Sequence, residues 1–299
     1  MTEFEILQLL AGPFTLVAVL LVALWRPWRR GVEDFAIWTL PVSFGAGYAL
    51  THHSISSFPS YPPVTADEWL VYVVLAAGIW GAIEGYTKLW ERSWVSLVRL
   101  VIVGVGFWVM FGHRLELWAF VAVVAILSLW IAVVDRLSRG EAEVSSGWIV
   151  GCSAAALGGI LLMGASLKLA LLAWGLMAMS LAMGVVTMAA RLRSGQQVVP
   201  APLWLLVGVV LAGLGLNGVE YALAPGWAVM GTLALIPLAL GGGRWLHERG
   251  WKRWQAGAVS VGLAVVGAAS SVGYAYYETE IAEEETEADE EEEYDPYTW

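Results

Sequence analysis

Two carboxylic acids, Glu84 and Glu220, stand inside long apolar runs of a chain that otherwise uses charge sparingly. An ionised carboxyl group at the centre of a bilayer costs about 2.5–3.5 kcal/mol on insertion scales, so an acid kept there is a candidate for binding a proton or a cation. Apart from Glu116, the second residue of the run Leu115–Val134, they are the only acids within the apolar runs, and each lies about three residues from the end of its run, a depth at which a carboxylate can also reach water as an interfacial anchor. Asn217 precedes Glu220 by about one helical turn and would add an amide to the same vestibule. The chemistry expected of these three residues is coupling or gating of transport.

Other patterns promise less. His52, His53 and His113, with Asp67 and Glu68 close by, could supply nitrogen and oxygen ligands to a metal. Adjacent histidines rarely share one ion, however, and no HxxxH spacing occurs, so no metal is expected and no cofactor. Gly213, Gly215 and Gly218 spell GxGxxG, but that fingerprint needs a preceding strand and a soluble βαβ unit, and here it lies within an apolar run. No GxSxG elbow, HExxH motif or Walker A loop is present, and no histidine sits centrally in an apolar run. An enzyme is therefore not expected, nor an ATP-driven pump working alone.

The elements that must position these residues follow from composition. Hydrophobic residues make up 59% of the 299 and charged residues 14%, against roughly a quarter charged in an ordinary soluble domain. That balance points to an all-α, polytopic transmembrane bundle, since only helices satisfy their backbone within one lipid-exposed segment and barrel strands would be shorter and alternating. Ten candidate spans appear: Ile6–Trp25, Phe35–Leu50, Trp69–Tyr86, Leu97–Gly112, Leu115–Val134, Trp148–Ser166, Leu169–Ala190, Leu203–Ala222, Trp227–Gly243 and Ala256–Tyr277. Most approach the ~17–25 residues needed to cross hydrocarbon. Glu3 and Glu5 precede the first run where a signal peptide would be basic, so that run is expected to persist as a span. The single Cys152 allows no internal disulfide.

Charge then sets the orientation. Of sixteen Lys and Arg, fourteen fall in alternate gaps: Arg26, Arg29, Arg30, Lys88, Arg92, Arg99, Arg136, Arg139, Arg191, Arg193, Arg244, Arg249, Lys252 and Arg253. Only Arg114 and Lys168 fall in the others. The positive-inside rule places the fourteen in the cytoplasm of a bacterial-type inner membrane, with both termini outside. Many of the eighteen tryptophans lie at span ends and read as a headgroup belt: Trp25, Trp28, Trp69, Trp90, Trp94, Trp118, Trp130, Trp148, Trp204, Trp227, Trp245, Trp251 and Trp254. The inner segment "RWLHERGWKRW" suits anionic headgroups, and with so few bases no nucleic acid partner is expected.

Two segments are not membrane. The outer loop Thr51–Glu68 is rich in Ser and Pro and is expected to be irregular. Residues 278–299 carry twelve acids and no base, leaving the body, residues 1–277, with fourteen acids against sixteen bases. Such a like-charge run is expected to be an extracytoplasmic, disordered tail, whose closing Tyr294, Tyr297 and Trp299 could dock another membrane subunit.

Internal similarity completes the reading. Trp69 aligns with Trp204, Val73–Ala76 with Val209–Ala212, and Glu84 and Tyr86 with Glu220 and Tyr221, an offset of about 135 residues. Halves 1–140 and 141–277 would each hold five spans, so a duplicated unit would be inverted, as in many secondary transporters. Pro13, Pro41 and Pro237 do not fall on repeat partners, which counts against paired broken helices. Gly81 with Gly85, Gly151 with Ala155 and Gly159, and Gly267 with Ser271 have the small-xxx-small spacing of packing seams. The leading functional expectation is a secondary transporter or permease for a small solute. The alternative is a non-catalytic membrane scaffold or complex subunit with an acidic docking tail.

Overall fold

A computed structural model of the chain describes residues 3–25, 33–89, 92–138, 143–194 and 202–293. Among the described residues there are ten α-helices and no strand. They are α1 Glu3–Leu20, continued by one π-helical turn Leu21–Trp25, α2 Glu33–Ser56, α3 Ala66–Thr87, α4 Val95–Phe111 and α5 Leu117–Ser138. The rest are α6 Glu143–Met163, α7 Leu167–Ser194, α8 Leu203–Tyr221, α9 Gly226–Glu248 and α10 Arg253–Glu293. Consecutive helices alternate in direction. One end of the bundle therefore gathers Lys88, Arg92, Arg136, Arg191, Arg193 and Arg244 and is called the basic end below. Arg26, Arg29, Arg30, Arg139, Trp28 and Trp90 lie outside the described residues.

Eight of the helices are long and apolar enough to cross a membrane: α1 with its π turn, α3, and α5 to α10. The protein is an integral membrane protein. Two of the ten expected spans differ from those eight. α4 is apolar but has 17 residues, which covers roughly 25 Å against the ~30 Å of hydrocarbon. α2 carries Thr39, Ser43, Thr51 and His52 and buries all four, so it is more polar than its neighbours. α1, α3 and α7 pack around it. The three prolines Pro13, Pro41 and Pro237 lie inside α1, α2 and α9, none of which is broken by them.

Apolar character alone does not say where a helix sits. α8 is buried along nearly its whole length, from Leu203 to Gly218, and packs on α2 to α7 and on α9. It is the axis of the bundle. The outer faces of α4, α5, α9 and α10 instead expose Val101, Val105, Trp118, Leu129, Leu238, Val265 and Val266, a belt that lipid must cover. Glycines set the closest approaches. A Cβ on Gly85 would lie 2.8 Å from the Trp38 nitrogen, and one on Gly81 2.8 Å from the Pro202 carbonyl oxygen, so α3 meets α2 and the start of α8 backbone to backbone. At Gly151 and Gly159 the contacts are ordinary, 3.4 Å to Leu181 and 3.5 Å to Val272, and Ala155 accepts a hydrogen bond from Trp174 at its carbonyl. The tight positions of α6 are Gly147, against the Gly184 backbone of α7, and Gly158, against the Trp174 indole.

Several expectations are corrected. Trp25 and Trp204 are fully buried rather than part of a headgroup belt; the Trp204 indole donates to the Ser138 hydroxyl at 2.7 Å. Trp94, Trp118, Trp227, Trp245, Trp251 and Trp254 do stand exposed at helix ends. The irregular outer loop shrinks to residues 57–65, because α2 continues to Ser56 and α3 begins at Ala66. Ser57 adopts a left-handed φ of 69° and closes α2 onto the His53 carbonyl, and Pro59, Pro62 and Pro63 prevent the helix from resuming. Glu68 accepts from the Ser60 hydroxyl and the Val64 N–H, which folds this loop onto the first turn of α3. After Glu278 the chain stays helical to Glu293 as part of α10, since extending an existing helix through good helix-formers such as Glu needs no new nucleus. Residues 294–299, with the aromatic cluster, lie outside the described residues.

The halves 1–140 and 141–277 interlock. α1 and α2 pack on α7, and α3 packs on α8. α6 packs on α7 as α1, its counterpart in the expected duplication, packs on α2; α6 also packs on α9 and α10, and α1 on α7.

Candidate functional site

At the basic end three helices converge on one guanidinium. Arg99 lies in the second turn of α4, with the apolar Val95, Val98 and Val103 around it in sequence, and only 6% of it is exposed. Its Nε donates to both carboxylate oxygens of Glu84 at 3.1 and 3.2 Å, and Nη2 donates to Glu84 Oε2 at 2.6 Å. Nη1 reaches across to Asp135 Oδ2 on α5 at 3.2 Å. Glu84 is fully buried on α3 and Asp135 nearly so. The arginine fork is the side chain suited to this work, since its planar donors can face two carboxylates at once. The expected interfacial role of Glu84 is thereby corrected: its carboxylate does not reach water but ties α3 to α4, and through Arg99 to α5. Beside the triad a cavity of about 360 Å³ is lined by Ser96, Arg99, Leu100, Ser128, Ile131, Ala132, Asp135 and Arg136. The buried Ser128 hydroxyl there has no hydrogen-bond partner.

The opposite end holds a larger, more polar cavity of about 540 Å³. Its walls come from the start of α3 (Thr65, Asp67, Trp69), the end of α4 (Val109, Met110, His113, Arg114), the start of α7 (Ser166, Lys168, Leu169) and the end of α8 (Asn217, Tyr221). Lys168 Nζ stands 2.5 Å from Asp67 Oδ2, and His52 Nε2 stands 3.6 Å from the same oxygen. Arg114 pairs with Glu220 at 3.5 Å and lies over the Tyr221 ring, its guanidinium carbon 5.0 Å from the centroid. Asn217 lines this cavity while its amide donates to the Gly213 carbonyl of its own helix at 2.8 Å.

Glu84 and Glu220 thus lie at opposite ends of the bundle, one sealed in an ionic triad and the other 41% exposed at the side chain. α4 belongs to both cavities. From Leu100 to Val109 it rises roughly 13 Å, and Val103, Gly106 and Phe107 occupy the turns between, with Val73 of α3 against Gly106.

Sequence reasoning misses Arg99, Asp135 and Lys168 as site residues and weighs His52 only as a metal ligand. Arg99 reads as a loop cation, although it sits two residues inside the apolar run Leu97–Gly112. Asp135 directly follows the fifth run, and no local pattern distinguishes it from a surface acid beside Arg136. His52 fell in the expected outer loop and is 1% exposed on a helix instead. Among the described residues no three of His, Cys, Asp and Glu gather as metal ligands. No known family, curated protein or solved structure matches this chain.

Proposed function

We propose that this protein is a secondary transporter, a permease that passes a small polar solute across a bacterial-type cytoplasmic membrane. The observation that carries the reading is the pair of cavities at opposite ends of α4, separated by about two helical turns of apolar side chains. A solute held among Asp67, Lys168, Arg114 and Asn217 would have one barrier to pass, and the barrier is built on the short, flanking helix that Arg99 pins to α3 and α5. The excess of arginine and lysine puts the triad on the cytoplasmic side and the larger cavity outside, with both termini outside as well. In this reading Glu84 gates, through Arg99, and Glu220 sets the position of Arg114 at the outer mouth. No catalytic step and no cofactor is involved, and the reading does not lean on the internal duplication.

The test is uptake into proteoliposomes of a panel of small amino acids, carboxylic acids, amines and amides, under an imposed pH gradient and membrane potential. At least one solute should accumulate, and Asn217→Phe, which fills the outer cavity, should stop it without unfolding the protein. A folded wild type that admits no member of the panel refutes the reading.

A second reading, a scaffold or complex subunit, is favoured by one observation. α10 is 41 residues long, roughly 60 Å, about twice the thickness of a hydrocarbon core, so its acidic half extends well past the membrane as a handle for other subunits. Truncation after Glu278 should then lose a co-purifying membrane partner while the body stays folded, and a permease would keep its uptake.

A further inference from the structure

The polar group least explained by the fold is His52. It is 1% exposed on α2, and neither ring nitrogen has a hydrogen-bond partner among the described residues. One turn earlier on the same face, the Tyr48 hydroxyl is also buried without a partner. Burying polar groups unsatisfied is costly, and burial also disfavours a charged imidazole, so a proton held here needs an anion beside it. The His52 Nε2 stands 3.6 Å from Asp67 Oδ2, the oxygen that Lys168 holds at 2.5 Å. Asp67 therefore has two prospective cations, Lys168 and His52, beside the Thr65 hydroxyl that also hydrogen-bonds it.

Lys168 and Asp67 both line the outer cavity, Lys168 with the more exposed side chain, 43% against 15%. Arg114, at the end of α4, supplies a second cation to the same cavity, where it is paired with Glu220. With His52 neutral, Lys168 is committed to Asp67. With His52 protonated, the imidazolium compensates Asp67 and Lys168 is released toward the cavity, where it and Arg114 can take an anion between them. The other charged and titratable groups at this end of the elements packed on α2 are Tyr48 and His53 on α2 itself, Glu5 on α1, Glu68 and Tyr72 on α3, the first engaged by Ser60 and Val64, and Glu220 and Tyr221 on α8, which Arg114 engages by an ion pair and by stacking.

We propose that the outer cavity binds a small organic carboxylate between Lys168 and Arg114, and that each anion bound brings one proton onto His52. The inference rests on the permease reading and deepens it: the solute class is a carboxylate, and the proton site is His52 with Asp67. The only covalent change is a proton transfer: an O–H bond of solvent hydronium breaks, an N–H bond forms on the imidazole, and the carboxylate replaces Asp67 as the partner of Lys168. Linkage of one proton to one anion makes the anion's affinity rise as pH falls, by up to about tenfold per pH unit.

The experiment uses the full chain in lipid nanodiscs and isothermal titration with propionate, with propionamide as the uncharged probe of the same shape. Titrations at about pH 5.5 and about pH 7.5, in buffers of different ionisation enthalpy, give affinity and protons taken up together. Wild type should bind propionate at least tenfold more tightly at the lower pH, with about one proton taken up, and should not bind propionamide. His52→Gln should lose both the pH dependence and the proton uptake. Asp67→Asn, which frees Lys168 at every pH, should bind propionate without either.

Equal affinity at the two pH values in wild type, an unchanged slope in His52→Gln, or equal binding of propionamide overturns the inference. So does a folded wild type that binds no propionate. If liposomes then take up a solute without a carboxylate, and Asn217→Phe blocks that uptake, this inference falls while the permease reading stands.

Discussion

Replacing Arg99 with Gln tests whether the buried triad is an ionic tie or a solvated cluster. The arginine spends Nε and Nη2 on Glu84 and Nη1 on Asp135, and the two carboxylates it holds are themselves out of water. Its removal leaves two buried acids facing each other with nothing between them. Breaking a buried pair by taking away one partner costs about 3–5 kcal/mol, which is roughly two to four powers of ten in the folded-to-unfolded ratio. Arg99→Lys should fall between, because an ammonium is a point charge and cannot present separate edges to Glu84 and Asp135. The informative partner is the triple replacement Glu84→Leu, Arg99→Met, Asp135→Leu. It removes all the charge, and comparable exchanges of buried ion networks for apolar packing are neutral or stabilising by about 1–4 kcal/mol. The assay is reversible unfolding in bicelles, by steric trapping or denaturing-detergent titration, with uptake measured in parallel. The triple variant should recover stability and lose gating. If Arg99→Gln unfolds within about 0.5 kcal/mol of wild type, the carboxylates are hydrated, and the tie between α3, α4 and α5 does not exist.

Glu220→Gln offers the contrast: its pair with Arg114 is nearly half exposed, so its loss should change stability by about 0–1 kcal/mol in the same titration. Gly85→Leu should destabilise by about 1–3 kcal/mol or more, since even a Cβ would stand 2.8 Å from the Trp38 nitrogen and only backbone movement between α3 and α2 can make room; thermal unfolding of purified protein measures it. Trp204→Phe removes the indole donor at 2.7 Å from the Ser138 hydroxyl and should cost about 1 kcal/mol, whereas Trp204→Ala should cost about 3–5, and a similar small cost for both would place Trp204 outside the core. In a Cys152→Ser background, single cysteines at Ser60 and at Gly250 should react with an impermeant maleimide from opposite sides of the membrane; labelling from the same side breaks the alternation of spans.

Individual residues show how far the sequence could be read. Nearly every helix lies within a few residues of its apolar run, because a run of about twenty apolar side chains ends where the chain must meet water, and that is a property of consecutive residues. Glu84 could be singled out for the same reason, as a charge where charge is expensive. Its meaning could not, because it depends on Arg99 and Asp135, which are 15 residues further along and 36 beyond that. Lys168 and His52 illustrate the same limit. One passed for a loop cation and the other for a loop histidine until α7 and α2 brought both to Asp67.

What the amino-acid order determined alone is a membrane body of apolar helices, their approximate ends and the end of the bundle that carries the bases. These are set by the local free energy of moving each segment from water to lipid. What the tertiary structure decided is which face of each helix meets lipid and which meets protein. In a bilayer both surroundings are apolar, so a leucine gains little by preferring one, and no periodic stripe is left in the sequence to record the choice. The interior position of α8, the burial of Trp25 and Trp204, and the meeting of charges at Arg99 and at Asp67 all depend on that choice.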